Sequence, residues 1–155
     1  MILKRTKAGD AVTEMLLTTF RLNGAFLGAA DRISAPFDLT AARWQVLGSV
    51  MPADKTVSQV AREMGLTRQS VQRLSNVLVE EGKAEFIDNP AHLRAKLLSP
   101  TPEGRALIVS LSETQYRWAN ETSDGIAAED IEKAVEVMRR VIARLEKAND
   151  ARLIE

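Results

Sequence analysis

The sequence predicts a mainly α-helical chain with one small β hairpin, and three observations lead there. Residues 56 to 78 carry two short amphipathic helix patterns separated by a glycine. Residues 84 to 98 switch to short strand-forming runs around an Asn-Pro turn. The long segments on either side repeat apolar residues at helical spacing.

Val12, Met15, Leu16, Phe20, Phe26, Leu27, Ala30 and Ile33 recur at helical spacing over residues 11 to 34. Pro36 ends that helix, because a proline disfavours helical geometry in the residue before it. Leu39-Thr40 caps a second helix with Trp44, Val46, Leu47 and Val50 apolar, closing before Pro52. Thr56 with Gln59 three residues on makes a capping box, and Val57, Val60, Ala61 and Met64 give the third helix its stripe. Gly65 supplies a residue that adopts positive φ after a helix end, and Thr67 caps the next helix. A helix, a short turn and a second helix form a helix-turn-helix unit.

The second helix of that unit separates two faces. Val71, Leu74 and Leu78 can bury, while Gln69, Gln72, Arg73 and Asn76, spaced i, i+3, i+4, i+7, project from the other side. Gln and Asn offer a donor and an acceptor that match an adenine edge, and arginine does the same for guanine in the major groove. Thr67, Arg68 and Ser70, at the positive end of the helix dipole, suit phosphate oxygens. Ser58, in the first turn of the preceding helix, joins them as a candidate DNA contact. From Thr67 through Asn76 there are two arginines and no acid. A solvated polar face would show the same pattern, so the face alone leaves that reading open.

After Gly82, Glu85-Phe86-Ile87 and Ala95-Lys96-Leu97-Leu98 are each expected as a short strand, with Asn89-Pro90 marking the turn region between them. A hairpin directly after such a helix is a wing. Arg94 and Lys96 place positive charge on it, and arginine is favoured in a narrow minor groove. An ordinary surface hairpin fits the same residues. The fold class expected is therefore mainly α with a small β wing: a winged helix-turn-helix lobe over residues 39–100 within a single domain, 1–155.

With these residues in place, the chain resembles the MarR family of winged helix-turn-helix transcriptional regulators over nearly its whole length. The resemblance is carried by Leu39-Thr40-Ala41 through Trp44-Gln45-Val46-Leu47, the helix pair, Leu78-Val79-Glu80-Glu81-Gly82, and Asn89-Pro90-Ala91-His92-Leu93-Arg94-Ala95-Lys96 followed by Leu98-Ser99-Pro100-Thr101-Pro102-Glu103-Gly104. The family usually shows Asp-Pro-x-Asp-Arg-Arg-Ala-Lys at the wing tip and Leu-Thr-x-x-Gly opening the next helix. This chain keeps Pro90, Arg94, Ala95, Lys96, Thr101 and Gly104. It has Asn89, His92 and Leu93 where two acids and the first arginine are expected, which leaves Arg94 as the candidate wing contact.

The remaining segments fit a helical dimerisation region at 11–34 and 101–150. Thr101-Pro102 is a helix start with proline at the first position, followed by Ala106, Leu107, Val109, Leu111, Tyr116 and Trp118. The last helix, 128 to 148, places Ile131, Val135, Met138, Ile142 and Leu145 at alternating spacings of four and three, a seam that packs on another helix. Packing within one chain satisfies the seam equally; the resemblance favours a homodimer. Such a dimer carries two recognition helices to major-groove faces about 34 to 36 Å apart, so its operator is expected to be pseudo-palindromic. The resemblance also implies release by a small, often aromatic effector. Phe20, Asn23, Phe37, Arg43 and Trp44 are the candidates to line its pocket, with Arg43 facing a ligand carboxylate; core packing competes with that role for Trp44 and the phenylalanines.

Composition sets the remaining bounds. With 155 residues, 45% hydrophobic and 27% charged, the chain matches one ordinary globular domain. It has 21 basic and 21 acidic residues, whereas many nucleic-acid binders are basic overall. Acids cluster at Glu129, Asp130, Glu132 and Glu136, away from the acid-free stretch, and a local patch acts within a Debye length of roughly 8 to 10 Å. No cysteine is present, which excludes disulfides and thiolate metal sites, and the lone His92 cannot complete a zinc ligand set. No nucleophile-base pair or phosphate loop appears, so no catalytic residue, metal or cofactor is expected. No apolar run approaches the roughly 20 residues that span a bilayer, and the start MILKRTKAGD lacks the apolar core of a secretory signal. The expected partners are double-stranded DNA, a second copy of the chain and a small effector, in the cytoplasm and off the membrane. A winged-helix module that binds protein without DNA is the alternative.

Overall fold

The computed structural model describes residues 4–152. Helix α1 (Lys7–Ser34) starts where Thr6 Oγ1 accepts the Gly9 N–H at 3.0 Å. It begins four residues ahead of the expected 11, and it stops at Ser34, two residues before Pro36, which lies in a 3-10 turn over Ala35–Phe37. Asp38 leaves that turn with a φ of 52°. Helix α2 (Ala41–Ser49) is capped by Thr40, whose hydroxyl accepts the Arg43 N–H, while Leu39 is buried beside the cap.

Strand β1 (Lys55–Thr56) leads directly into α3 (Val57–Met64), whose capping box is complete. Thr56 Oγ1 accepts the Gln59 N–H at 3.2 Å, and Gln59 Oε1 accepts the Thr56 N–H at 2.8 Å. Gly65 closes α3 with a φ of 64°, and Thr67 opens α4 (Arg68–Glu80) by accepting the Ser70 N–H at 3.1 Å. Strands β2 (Ala84–Ile87) and β3 (Leu97–Pro100) follow. The sheet is antiparallel in the order β1-β3-β2, with Lys55 and Phe86 facing Leu98 from either side.

The hairpin differs from the expectation in one respect: its second strand begins at Leu97, and Ala95 and Lys96 belong to the turn. Pairing ends where Ile87 faces Leu97, and the residues between are held by turn hydrogen bonds. The sequence carries no strand pattern at β1. Its two residues gain a partner only through a contact some 40 positions away, which no local pattern reveals.

Val46, Leu47 and Val50 of α2, Val60 and Ala61 of α3, Val71, Leu74 and Leu78 of α4, and Leu98 of β3 form the centre of the core, and Ile33 of α1 is buried with them. Helix α5 (Pro102–Ser123) enters with Gly104 against this lobe: a Cβ there would stand 2.0 Å from the Lys83 carbonyl oxygen. Thr101 Oγ1 accepts the Gly104 N–H at 3.1 Å and donates to the Gly82 carbonyl at 2.6 Å. Chain contacts divide between Thr114 and Gln115, inside α5. Beyond that division, Gly125 turns the chain at a φ of 76° into α6 (Ala128–Arg152). Among the described residues no helix is long and apolar enough to cross a membrane.

Candidate nucleic-acid interface

The capping of α3 and α4 fixes where their first turns point. Thr56 and Thr67 each take one orphan N–H, which leaves the first-turn amides of α4, at Arg68 and Gln69, aimed outward at the positive end of the dipole. Between the start of α3, the exposed side of α4 and the wing lies a cleft of about 520 Å³. Ser58 comes to it from α3, Arg68, Gln69 and Gln72 from α4, and Arg94 and Lys96 from the wing. Residues 38 positions apart thus meet in one surface. Three of the lining side chains are cationic and none is acidic, so the cleft concentrates positive charge on a chain whose formal net charge is zero.

Beyond the cleft, Asn76 continues the same side of α4 and accepts a 2.9 Å hydrogen bond from Gln72 Nε2. This pairing holds two of the amide side chains in register on an exposed helix face, with donors and acceptors still available for a base edge. Thr67 Oγ1 is committed to its cap, and Ser70 is half-buried, so the backbone N–H groups of the first turn are the stronger phosphate donors there.

Arg73 departs from the expected grouping. At about 100° per residue, a face running from Gln72 to Arg73 spans roughly 100° of the helix, so its two shoulders look in different directions. Gln69 and Gln72 line the wing-side cleft. Arg73 lines a second cleft of about 510 Å³, walled by Leu27 and Asp31 of α1, the α2 cap Thr40, Arg43 of α2, and Leu74 and Val77 of α4. Sequence periodicity placed Arg73 beside Gln72 correctly; what it lacked was the position of α1 and α2. Asp31 shows how those elements are tied, since its Oδ1 accepts the Ala41 N–H at 2.7 Å at the start of α2.

Of the five candidate effector residues, Arg43 is the one that lines this second cleft. Its guanidinium pairs with the Glu81 carboxylate, which also accepts from Lys83 Nζ at 2.9 Å. The Arg43 side chain is only 15% exposed, so a ligand carboxylate would meet an arginine already engaged by its own chain. Phe20 and Asn23 lie exposed on α1, Phe37 is half-buried in the 3-10 turn, and Trp44 is half-buried with its indole against Gly48. Phe86 and Thr56 in the first cleft, and Leu27 and Asp31 in the second, were not anticipated. In the sequence Phe86 has the pattern of a strand residue, and its alternation with Ile87 carries no mark of a cleft.

The wing tip is closed by hydrogen bonds of its own turns. Asn89 Oδ1 accepts the Ala91 N–H at 3.0 Å, its carbonyl accepts the His92 N–H at 3.1 Å, and the His92 carbonyl accepts the Ala95 N–H at 3.1 Å. An asparagine side chain makes the same turn bond as an aspartate without its charge.

A family model described as MarR family matches residues 37–95. Uncharacterized proteins of Mycobacterium tuberculosis and Mycobacterium bovis are each 33% identical over 136 residues, covering 88% of this chain and 95% of theirs. Among solved structures, CouR from Rhodococcus jostii bound to p-coumaroyl-CoA superposes with a TM-score of 0.74 at 23% identity, covering 84% of this chain and 91% of that one. The apo form of MarR from E. coli superposes at 0.66 with 21% identity, over 80% and 93%. At these identities the structural likeness shows the fold.

Proposed function

The chain belongs to the MarR family of transcription regulators, and on that premise we propose that it binds double-stranded DNA sequence-specifically, as a homodimer on a pseudo-palindromic operator, and that a small ligand releases it. The observation that carries the proposal is the acid-free cleft in which Arg68, Gln69 and Gln72 stand opposite Arg94 and Lys96. Amide side chains on an exposed helix suit base edges in the major groove, and the wing cations suit the flanking backbone and minor groove.

Two further features support the dimer and the ligand. α1 exposes Val12, Leu16, Leu17 and Phe20, and α6 exposes Ile142 and Leu145, large apolar side chains that a partner surface would cover. The second cleft sets an apolar wall of Leu27, Leu74 and Val77 beside the exposed Arg73, while Arg43 is paired with Glu81 and Asp31 accepts the Ala41 N–H, so an aromatic ring bearing an anionic group would take Arg73 as its cation. Because Arg73 belongs both to that cleft and to the exposed side of α4, an anion bound there draws on a residue available to DNA. CouR, whose structure contains p-coumaroyl-CoA, is a relative in fold with a ligand of that character.

A protein-binding winged helix is the second reading, favoured by zero net charge and by a leucine at the wing tip. Pooled genomic fragments incubated with the purified protein separate the two. The DNA reading expects retarded fragments that share an inverted repeat; no fragment retarded above random competitor at physiological salt would favour the protein-binding module.

A further inference from the structure

Leu93 stands at the wing tip with 99% of its surface exposed, the highest value of any large hydrophobic among the described residues. Two consecutive turns hold it there: the bond from His92 N–H to the Asn89 carbonyl precedes it, and the bond from Ala95 N–H to the His92 carbonyl spans it. Its neighbour Arg94 and nearby Lys96 line the basic cleft, so the leucine stands directly beside cationic groups whose cleft contains no acid. Leucine offers phosphate nothing. A deep groove between phosphates is a different matter, because proteins that enter the minor groove often pair a cation with an apolar wedge that parts a base step.

We propose that Leu93 is a minor-groove wedge that inserts at a base step flanking the operator and favours steps that unstack readily, TA and CA/TG. Such a residue adds sequence preference without a hydrogen bond, through the deformability of the step it enters. This rests on the reading of the chain as DNA-binding. Arg94 beside it supplies the electrostatic part of the same contact, so the two residues differ in what they respond to: Arg94 to salt, Leu93 to the stacking of the step.

The test uses a duplex recovered by the wild-type protein from pooled genomic fragments, with 2-aminopurine in place of flanking adenines as a reporter of unstacking. The wild-type protein should raise its fluorescence severalfold. Leu93→Ala should leave fluorescence flat, bind TA-flanked duplexes about tenfold more weakly and lose the flank preference, with an unchanged salt slope. Leu93→Phe should restore the fluorescence, and Arg94→Ala should lower the salt slope by about one. An exposed turn residue touches no core, so these variants fold. If Leu93→Ala keeps both the flank preference and the fluorescence, the wedge is wrong while the DNA reading stands. If the wild-type protein recovers no duplex at all, both fall together.

Discussion

Gly104→Ala should unseat the start of α5 from the winged lobe. The added Cβ would stand 2.0 Å from the Lys83 carbonyl oxygen and 3.0 Å from its carbon, both backbone atoms. A carbon and a carbonyl oxygen approach to about 3.3 Å, so one side must retreat on the order of 1 Å. That retreat stretches the bond from the Thr101 N–H to the Lys83 carbonyl, now 3.2 Å, and the bond from Thr101 Oγ1 to the Gly82 carbonyl, now 2.6 Å. Losing two hydrogen bonds at about 1 kcal/mol each, with an overpacking cost of about 1–3 kcal/mol, gives a destabilisation of roughly 3–5 kcal/mol. Urea unfolding followed by circular dichroism measures it directly, and the melting temperature should fall by roughly 6–20 °C. A midpoint within experimental error of the wild type would show that the lobe and α5 do not meet as described.

Three other substitutions probe separate links. Ser75→Ala removes a hydroxyl that is buried and, among the described residues, makes no hydrogen bond, so stability should hold or rise by up to about 1 kcal/mol in the same unfolding assay. Arg43→Met breaks the pair with Glu81 at a site only partly open to solvent; a loss of about 1–2 kcal/mol is expected, reduced because Lys83 still neutralises Glu81. Gln72→Ala should cost about 1–3 kcal/mol on the preferred duplex and little on random DNA, whereas Arg94→Ala should weaken every duplex alike. Equal losses on both duplexes for Gln72→Ala would contradict its assignment as a base reader.

Much of the fold was legible because it is written in local chemistry. Thr56 with Gln59, Gly65 and Thr67 each act on a backbone amide or carbonyl within four residues, Pro102 presets the φ of the first position of its helix, and each marks a helix end in the structure. The features that escaped depend on distant chain. β1 exists only because β3 pairs with it, β3 begins at Leu97 because its partner strand stops at Ile87, and Arg73 looks into the second cleft because α1 and α2 pass beside it. The candidate site divides the same way. Helical periodicity assembled Gln69, Gln72 and Asn76, and the charge pattern marked Arg94 and Lys96. That Ser58 and Arg68 would join the wing in one cleft followed from packing, as did the capture of Arg43 by Glu81.

Hydroxyl-radical footprinting of the wild-type protein on its recovered genomic fragments tests the central claim most directly. Two protected patches are expected, related by an inverted repeat and centred about one helical turn apart, each flanked by a shorter minor-groove protection from the wing. Uniform protection along the fragment, or none above that of random duplex, would contradict the assignment of the cleft between α4 and the wing as a DNA-reading surface.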